Sequence, residues 1–178
     1  YTGDPNAALQ AFNRARRDLE WGERATYNMI EICLNPDNEI IGGGGGTIDY
    51  NQDCKTNNGN DREMGTKTAE GFLKELQNRP GLDYKYRLME NFILLMSGNR
   101  TNVQQSLTNF LSMAETENSG MISVGALLGS ARAYLMLKQI PKAKAQLKRI
   151  LGYTWTLEDA DNLEKCAFYH SLINFSLN

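Results

Sequence analysis

Few residues in this chain have the type and spacing to do chemistry. His170 is the one histidine among 178 residues and follows Cys166 by one helical turn. That spacing permits an imidazole–thiol contact and hence an activated thiolate. A solvent-facing histidine beside a core cysteine is the simpler expectation, and His170, Asn174 and Asn178, four apart, read as a polar outer stripe. With one histidine, and with Cys33, Cys54 and Cys166 far apart and no C-x-x-C pair, no zinc-type ligand set is expected. Three scattered thiols read as reduced cysteines of a cytoplasmic protein. Gly42 to Gly46 followed by Thr47 offers a glycine-rich loop, but no lysine follows it. In Gly65-Thr66-Lys67-Thr68 the preceding glycine, Gly59, stands one residue too far back for a phosphate loop. The expectation is an insert leading into a helix capped by Thr66 or Thr68. No nucleophile, base and orienting group come together, so neither catalysis nor a cofactor or metal is expected.

Charged clusters suggest binding instead. Lys138, Lys142, Lys144, Lys148 and Arg149 could hold an acidic peptide or a phosphate, but Glu158, Asp159, Asp161 and Glu164 follow and would screen them. Lys138, Lys142 and Arg149 remain the candidate partner surface. Chaperone-binding repeat proteins clamp a terminal carboxylate with lysine, asparagine and arginine on first helices. Here only Arg24 with Asn28 and Arg87 with Asn91 stand in such segments. The sequons Asn99-Arg100-Thr101 and Asn174-Phe175-Ser176 are of a kind that arises by chance.

Composition excludes several classes. Nineteen Lys and Arg against 21 Asp and Glu leave a net charge of −2, which does not suit a chain held to nucleic acid or a membrane surface by bulk charge. A hydrophobic content of 41% fills an ordinary core, whereas the longest apolar runs, such as Phe92 to Met96, fall far short of the roughly twenty residues of a membrane span. The chain opens at Tyr1 without a basic and apolar leader, and so reads as a processed chain or an internal fragment.

The elements that must position these residues announce themselves by a repeat. Gly3-Asp4-Pro5 precedes Ala8 and Phe12, an A-x3-F spacing that returns at Ala69 and Leu73, at Ala143 and Leu147, and more weakly at Val103 and Leu107. From Ala69 to Val103, Leu73 to Leu107 and Leu76 to Phe110 the step is 34 residues each time, the period of tetratricopeptide hairpins. Tyr134 stands nine residues before Ala143, as that pattern asks, with Ala131, Ala133 and Ala143 small enough for close helix approach. Phe12 to Leu73 is 61 residues, 27 more than one period, and one glycine-rich insert at 35–65 absorbs the excess. Six further residues fall near Glu115 to Gly120.

The pattern therefore predicts an all-α fold, an α-solenoid of stacked hairpins in a right-handed superhelix, with 1–178 forming one segment of a longer array. Helices are expected at Pro5–Asp18, Glu23–Leu34, Thr66–Asn78, Leu82–Met96, Asn102–Glu115, Ser119–Leu137, Pro141–Leu151 and Leu157–Phe175. The region from Gly42 to Asn60 is expected to be irregular. In Leu82–Met96, Tyr84, Leu88, Phe92 and Leu95 share one stripe that Met89, Ile93 and Met96 widen. A helix apolar on two sides needs neighbours on both. The packing positions expected are Gly3, Ala8, Phe12, Ala69, Leu73, Leu76, Val103, Leu107, Phe110, Tyr134, Ala143 and Leu147.

Three stretches carry more than the repeat. The run PNAALQAFNRARRDLEWGERATYNMIEICLNPDN from Pro5 to Asn38, the run from Tyr84 to Ala114, and SVGALLGSARAYLMLKQIPKAKAQLKRIL from Ser123 to Leu151 resemble the tetratricopeptide repeat protein 21 family. The glycine-rich insert and the stretch after Cys166, Ala167-Phe168-Tyr169-His170, depart from that family's pattern. The resemblance implies a non-enzymatic scaffold subunit of intraflagellar transport complex A, supporting retrograde ciliary transport and cargo entry. Its partners would be complex A subunits and ciliary cargo adaptors, with no nucleic acid and no membrane insertion. It would work in the cytoplasm, cilium, axoneme and ciliary base. A stand-alone tetratricopeptide peptide-binding adaptor is the alternative.

Overall fold

The computed structural model describes residues 5–34, 58–76, 83–116, 120–152, 166–167 and 170–171. All regular structure among them is helical: α1 (Pro5–Ala15), α2 (Gly22–Leu34), α3 (Asn58–Leu76), α4 (Asp83–Met96), α5 (Arg100–Thr116), α6 (Gly120–Met136) and α7 (Ile140–Leu151). The chain divides into two compact units, Tyr1–Arg79 and Pro80–Asn178. The expected eighth helix, Leu157–Phe175, lies outside the described residues except for helical turns at 166–167 and 170–171. Gly3 and residues 35–57, including Gly42 to Gly46, also lie outside them.

In the first unit α2 packs on α1 and on α3. The turn after α1 is closed by Asp18, whose Oδ1 accepts the amides of Glu20 at 2.9 Å and Trp21 at 3.0 Å. These two amides hold the Asp18 carboxyl below its ordinary range. Gly22 then starts α2 where a Cβ would fall 2.6 Å from the Arg16 carbonyl oxygen. At the far end of α3, Arg16 Nη1 lies 3.0 Å from both Glu75 carboxylate oxygens and its guanidinium 5.8 Å from the centre of the Phe72 ring. Ala69, Leu73 and Leu76 of α3 are buried with Ile30, Met29 and Leu34 of α2.

Two expectations change here. The helix α3 begins at Asn58 rather than Thr66, so residues 58–65 are helix and not insert. Its first turns carry no apolar stripe; Gly65 brings α3 within reach of the Cys33 carbonyl, where a Cβ would fall at 2.5 Å, and Lys67 pairs with Glu63 at 2.7 Å. Thr66 and Thr68 therefore sit inside the helix instead of capping it, and Thr68 Oγ1 donates to the Met64 carbonyl. Ala8 and Phe12 are half-buried rather than enclosed, because among the described helices only α2 covers α1.

The second unit is built around α6, which packs on α5 and α7 and also touches α4. Every residue from Val124 to Ala131 is buried, so this stretch of the helix is enclosed on all sides. Two glycines make that possible. A Cβ on Gly125 would fall 2.9 Å from Leu88 Cδ2, and one on Gly129 2.6 Å from the Phe110 ring. Phe110 in turn meets Phe92 of α4 at a centroid distance of 5.0 Å. Val103, Leu107, Phe110, Tyr134, Ala143 and Leu147 are all buried. Gly98, with φ of 69°, turns the chain between α4 and α5, and Asn99 starts α5 by accepting the Thr101 amide at 3.2 Å.

The two kinds of helical glycine should respond oppositely to alanine. At Gly71 nothing lies within 4 Å of an added Cβ, so Gly71→Ala should raise stability by about 0.5–1 kcal/mol through helix propensity. Gly129→Ala should lower it by about 1–3 kcal/mol through overpacking against Phe110. Urea unfolding of both variants checks this; a shift in the same direction for both would mean that α6 and α5 are not in close contact.

Candidate functional site

The first candidate surface lies at the turn between α6 and α7. The helix α6 ends in a left-handed turn: Gln139 N–H donates to the Tyr134 carbonyl at 2.8 Å and Lys138 N–H to that of Leu135 at 2.9 Å. Lys138 occupies the left-handed position with φ of 59°, a place glycine usually takes. Lys142 and Arg149 follow on the exposed side of α7. Lys142 Nζ stands 5.7 Å from the centre of the Tyr134 ring, and Arg149 Nη1 donates to Gln146 Oε1 at 3.1 Å. The turn and the α7 face thus present the three cations of the candidate surface, while Ala143, Leu147 and Ile150 face the core. The acidic residues expected to screen them, Glu158, Asp159, Asp161 and Glu164, lie outside the described residues.

A second surface was only partly legible in the sequence. An open cleft of about 250 Å³ between α1 and α2 is lined by Phe12, Ala15, Trp21, Arg24, Ala25 and Asn28. At the same α1–α2 turn Trp21 is 54% exposed and Leu19 stands fully in solvent. Arg24 and Asn28, singled out by their first-helix positions, both face this cleft. The other such pair does not. Asn91 is buried, donating to the Arg87 carbonyl at 2.7 Å and to Met113 Sδ at 3.7 Å, while its Oδ1 accepts from Asn109 at 2.8 Å. Asn91 is used up in joining α4 to α5, so the pair Arg87 and Asn91 offers no clamp.

The remaining candidates for chemistry are inert or structural. Gly65 to Thr68 lie inside α3, where no free helix start is available to cradle a phosphate. Cys166 is buried, its thiol 3.7 Å from the Leu147 carbonyl, and burial pushes its pKa up, as it does for Cys33. A raised pKa is the opposite of what an activated thiolate beside His170 requires. Among the described residues no cluster of three His, Cys, Asp or Glu side chains could hold a metal, and no helix is long and apolar enough to cross a membrane.

Comparison with known proteins gives this architecture its family. Residues 68–177 match the family model described as the tetratricopeptide repeat protein 21 C-terminal ARM domain, and residues 1–34 match that of the TT21 fifth ARM repeats domain. The chain belongs to the tetratricopeptide repeat protein 21 family. It is 44% identical over 170 residues to tetratricopeptide repeat protein 21B of Homo sapiens. It is 40% identical over 166 residues to tetratricopeptide repeat protein 21A of Mus musculus and 39% identical over 170 residues to the homolog of Caenorhabditis elegans. Each alignment covers 93% of this chain and 12% of the relative. The chain thus spans about an eighth of the length of these family members, and within the family it is a helical-repeat segment.

The thiol chemistry is directly testable. Because burial raises the Cys166 pKa, the thiol should stay protonated at pH 8 and react with iodoacetamide far more slowly in the folded chain than in urea. Mass mapping of Cys166 over a time course reads this, and rapid labelling of the folded chain at pH 7 would restore the activated-thiolate reading.

Proposed function

We propose that this chain is part of a non-enzymatic protein-binding scaffold that serves intraflagellar transport complex A, supporting retrograde ciliary transport and cargo entry. The observation that carries the proposal is family membership along 93% of the chain. The fold adds a physical reason. Enclosed helices such as α6 hold outer faces in fixed positions, which is what a scaffold needs and what a flexible tether lacks. On this reading the protein works in the cytoplasm, cilium, axoneme and ciliary base, its partners are complex A subunits and ciliary cargo adaptors, and 1–178 acts as one stretch of a longer repeat array.

Lys138, Lys142 and Arg149 are the proposed partner surface. Lysine at the left-handed position 138 costs about 1 kcal/mol that glycine would not, and this supports a use for its charge. A stand-alone peptide-binding adaptor is the lesser reading, since the Arg87 and Asn91 half of a carboxylate clamp is consumed in packing.

Two variants of the full-length protein test the surface. Reversing Lys138, Lys142 and Arg149 to Glu should leave the melting temperature near that of the parent but reduce co-purification of complex A subunits from ciliated cells. Lys138→Gly alone should raise stability by about 0.5–1 kcal/mol while lowering co-purification. Undiminished co-purification in both would remove the surface from the proposal, and absence of complex A subunits from the parent pull-down would remove the proposal itself.

A further inference from the structure

The charge of this chain is unevenly placed. Between Glu117 and Glu158 there is no acidic residue, while Arg132, Lys138, Lys142, Lys144, Lys148 and Arg149 all fall there. Six of the 19 Lys and Arg thus stand in a stretch that holds none of the 21 Asp and Glu, although the whole chain is at −2. Lys138, Lys142, Lys148 and Arg149 are exposed and make no ion pair among the described residues. The screening that Glu63 gives Lys67 on α3 has no counterpart along α7, which carries no acidic residue.

These cations form a row on one side of α7. Ala143, Leu147 and Ile150 are the buried residues of the helix, and Lys142, Ala145, Lys148 and Arg149 occupy the opposite arc, all exposed. Lys142 and Arg149 stand seven residues apart, two helical turns and about 10 Å along the axis. Both are held in place: Lys142 Nζ lies 5.7 Å from the centre of the Tyr134 ring, and Arg149 Nη1 donates to Gln146 Oε1 at 3.1 Å. Midway between them stands Ala145, small enough to let another backbone come close. Where the chain after α7 is next described, at Cys166, the thiol lies 3.7 Å from the Leu147 carbonyl, beside the buried arc and not on the row of cations.

We infer that this face of α7 docks an acidic α-helix of a protein partner, with carboxylates seven residues apart facing Lys142 and Arg149 and its backbone lying over Ala145. The inference rests on the reading of Lys138, Lys142 and Arg149 as a partner surface; it adds Lys148 and names the chemistry of the partner. A helix laid along α7 has the same rise per residue, so one heptad of the partner spans the two cations. Because both side chains are already held, pairing them costs less conformational entropy than ordering two free ones. Nucleic acid fits less well, since the described residues of α6 and α7 expose no aromatic side chain on which a base could stack. An anionic lipid surface also fits less well, since no exposed apolar side chain larger than Ala145 stands between the two cations to enter it.

The test uses the whole chain and labelled alanine-rich helical peptides, read by fluorescence anisotropy at low salt. A peptide with glutamates seven residues apart along one face should bind saturably. One of the same composition with its glutamates spread around the helix should bind about tenfold more weakly. Lys142→Glu with Arg149→Glu should keep the parent melting temperature, abolish that difference, and bind the peptide with lysines in place of the glutamates better than the parent does. Glu158→Gln, Asp159→Asn, Asp161→Asn and Glu164→Gln together should leave the affinity unchanged. Equal binding of the two acidic peptides, or indifference to the double reversal, would overturn the inference. So would a gain of about tenfold on neutralising the four acids, which would give the row to the chain's own acidic stretch. Sedimentation of the parent with phosphatidylserine vesicles, without peptide binding, would give it to a lipid surface instead. If charge reversal lowers co-purification of complex A subunits while no peptide binds, the partner surface stands and the acidic helix falls.

Discussion

The second unit depends on one constraint: from Val124 to Ala131, α6 has no face in water. Its residues from Val124 to Ala131 are buried without interruption, whereas an ordinary surface helix buries one stripe. The hydrophobic effect therefore demands partners on every side, and the unit supplies them as α4, α5 and α7. Glycine at 125 and 129 is the complement of that demand, because the two missing side chains are the spaces that Leu88 and Phe110 fill. A hairpin of α6 and α7 alone would leave those spaces to water, which is the physical sense in which such repeats stabilise only as stacks.

Polar groups inside this core are satisfied locally, and they add orientation. Ser106 and Ser130 return their hydroxyls to the Val103 and Leu127 carbonyls at 2.9 and 2.8 Å. Asn91 spans α4 and α5 through Met113 and Asn109, so sliding one helix along the other would strand a buried amide. The first unit is pinned differently. Arg16 reaches Glu75 and Phe72 from the turn after α1, but with a partly exposed carboxylate this pair contributes little energy and mainly orients the helix ends.

The sequence disclosed what periodicity can disclose. The 34-residue steps single out Ala69, Leu73, Val103, Leu107 and Phe110, since positions on a repeated helix face must be apolar wherever the face is repeated, and these five side chains are buried. Turn chemistry gave the stops at Ser97-Gly98-Asn99 and at Lys138. What it hid depends on geometry between helices. The start of α3 at Asn58 was illegible because its first turns are polar and gain order from a glycine-to-backbone approach at Cys33. Asn91 looked like a binding residue until its three partners were seen. The cleft at Trp21 was signalled only by Arg24 and Asn28 standing four apart.

Amide hydrogen exchange across the second unit, comparing the parent chain with Leu147→Asp, tests the mutual dependence of these helices most directly. In the parent, amides of α6 between Val124 and Tyr134 should exchange only through opening of the whole unit, with the same opening free energy as those of α5 around Phe110. Because Leu147 lies on the buried side of α7, a charge there should expose one flank of α6 and lower protection in α4, α5 and α6 together. Full protection of α4 and α5 while α6 and α7 exchange freely would contradict the account, since it would show the α4–α5 hairpin standing without the helix it is said to enclose.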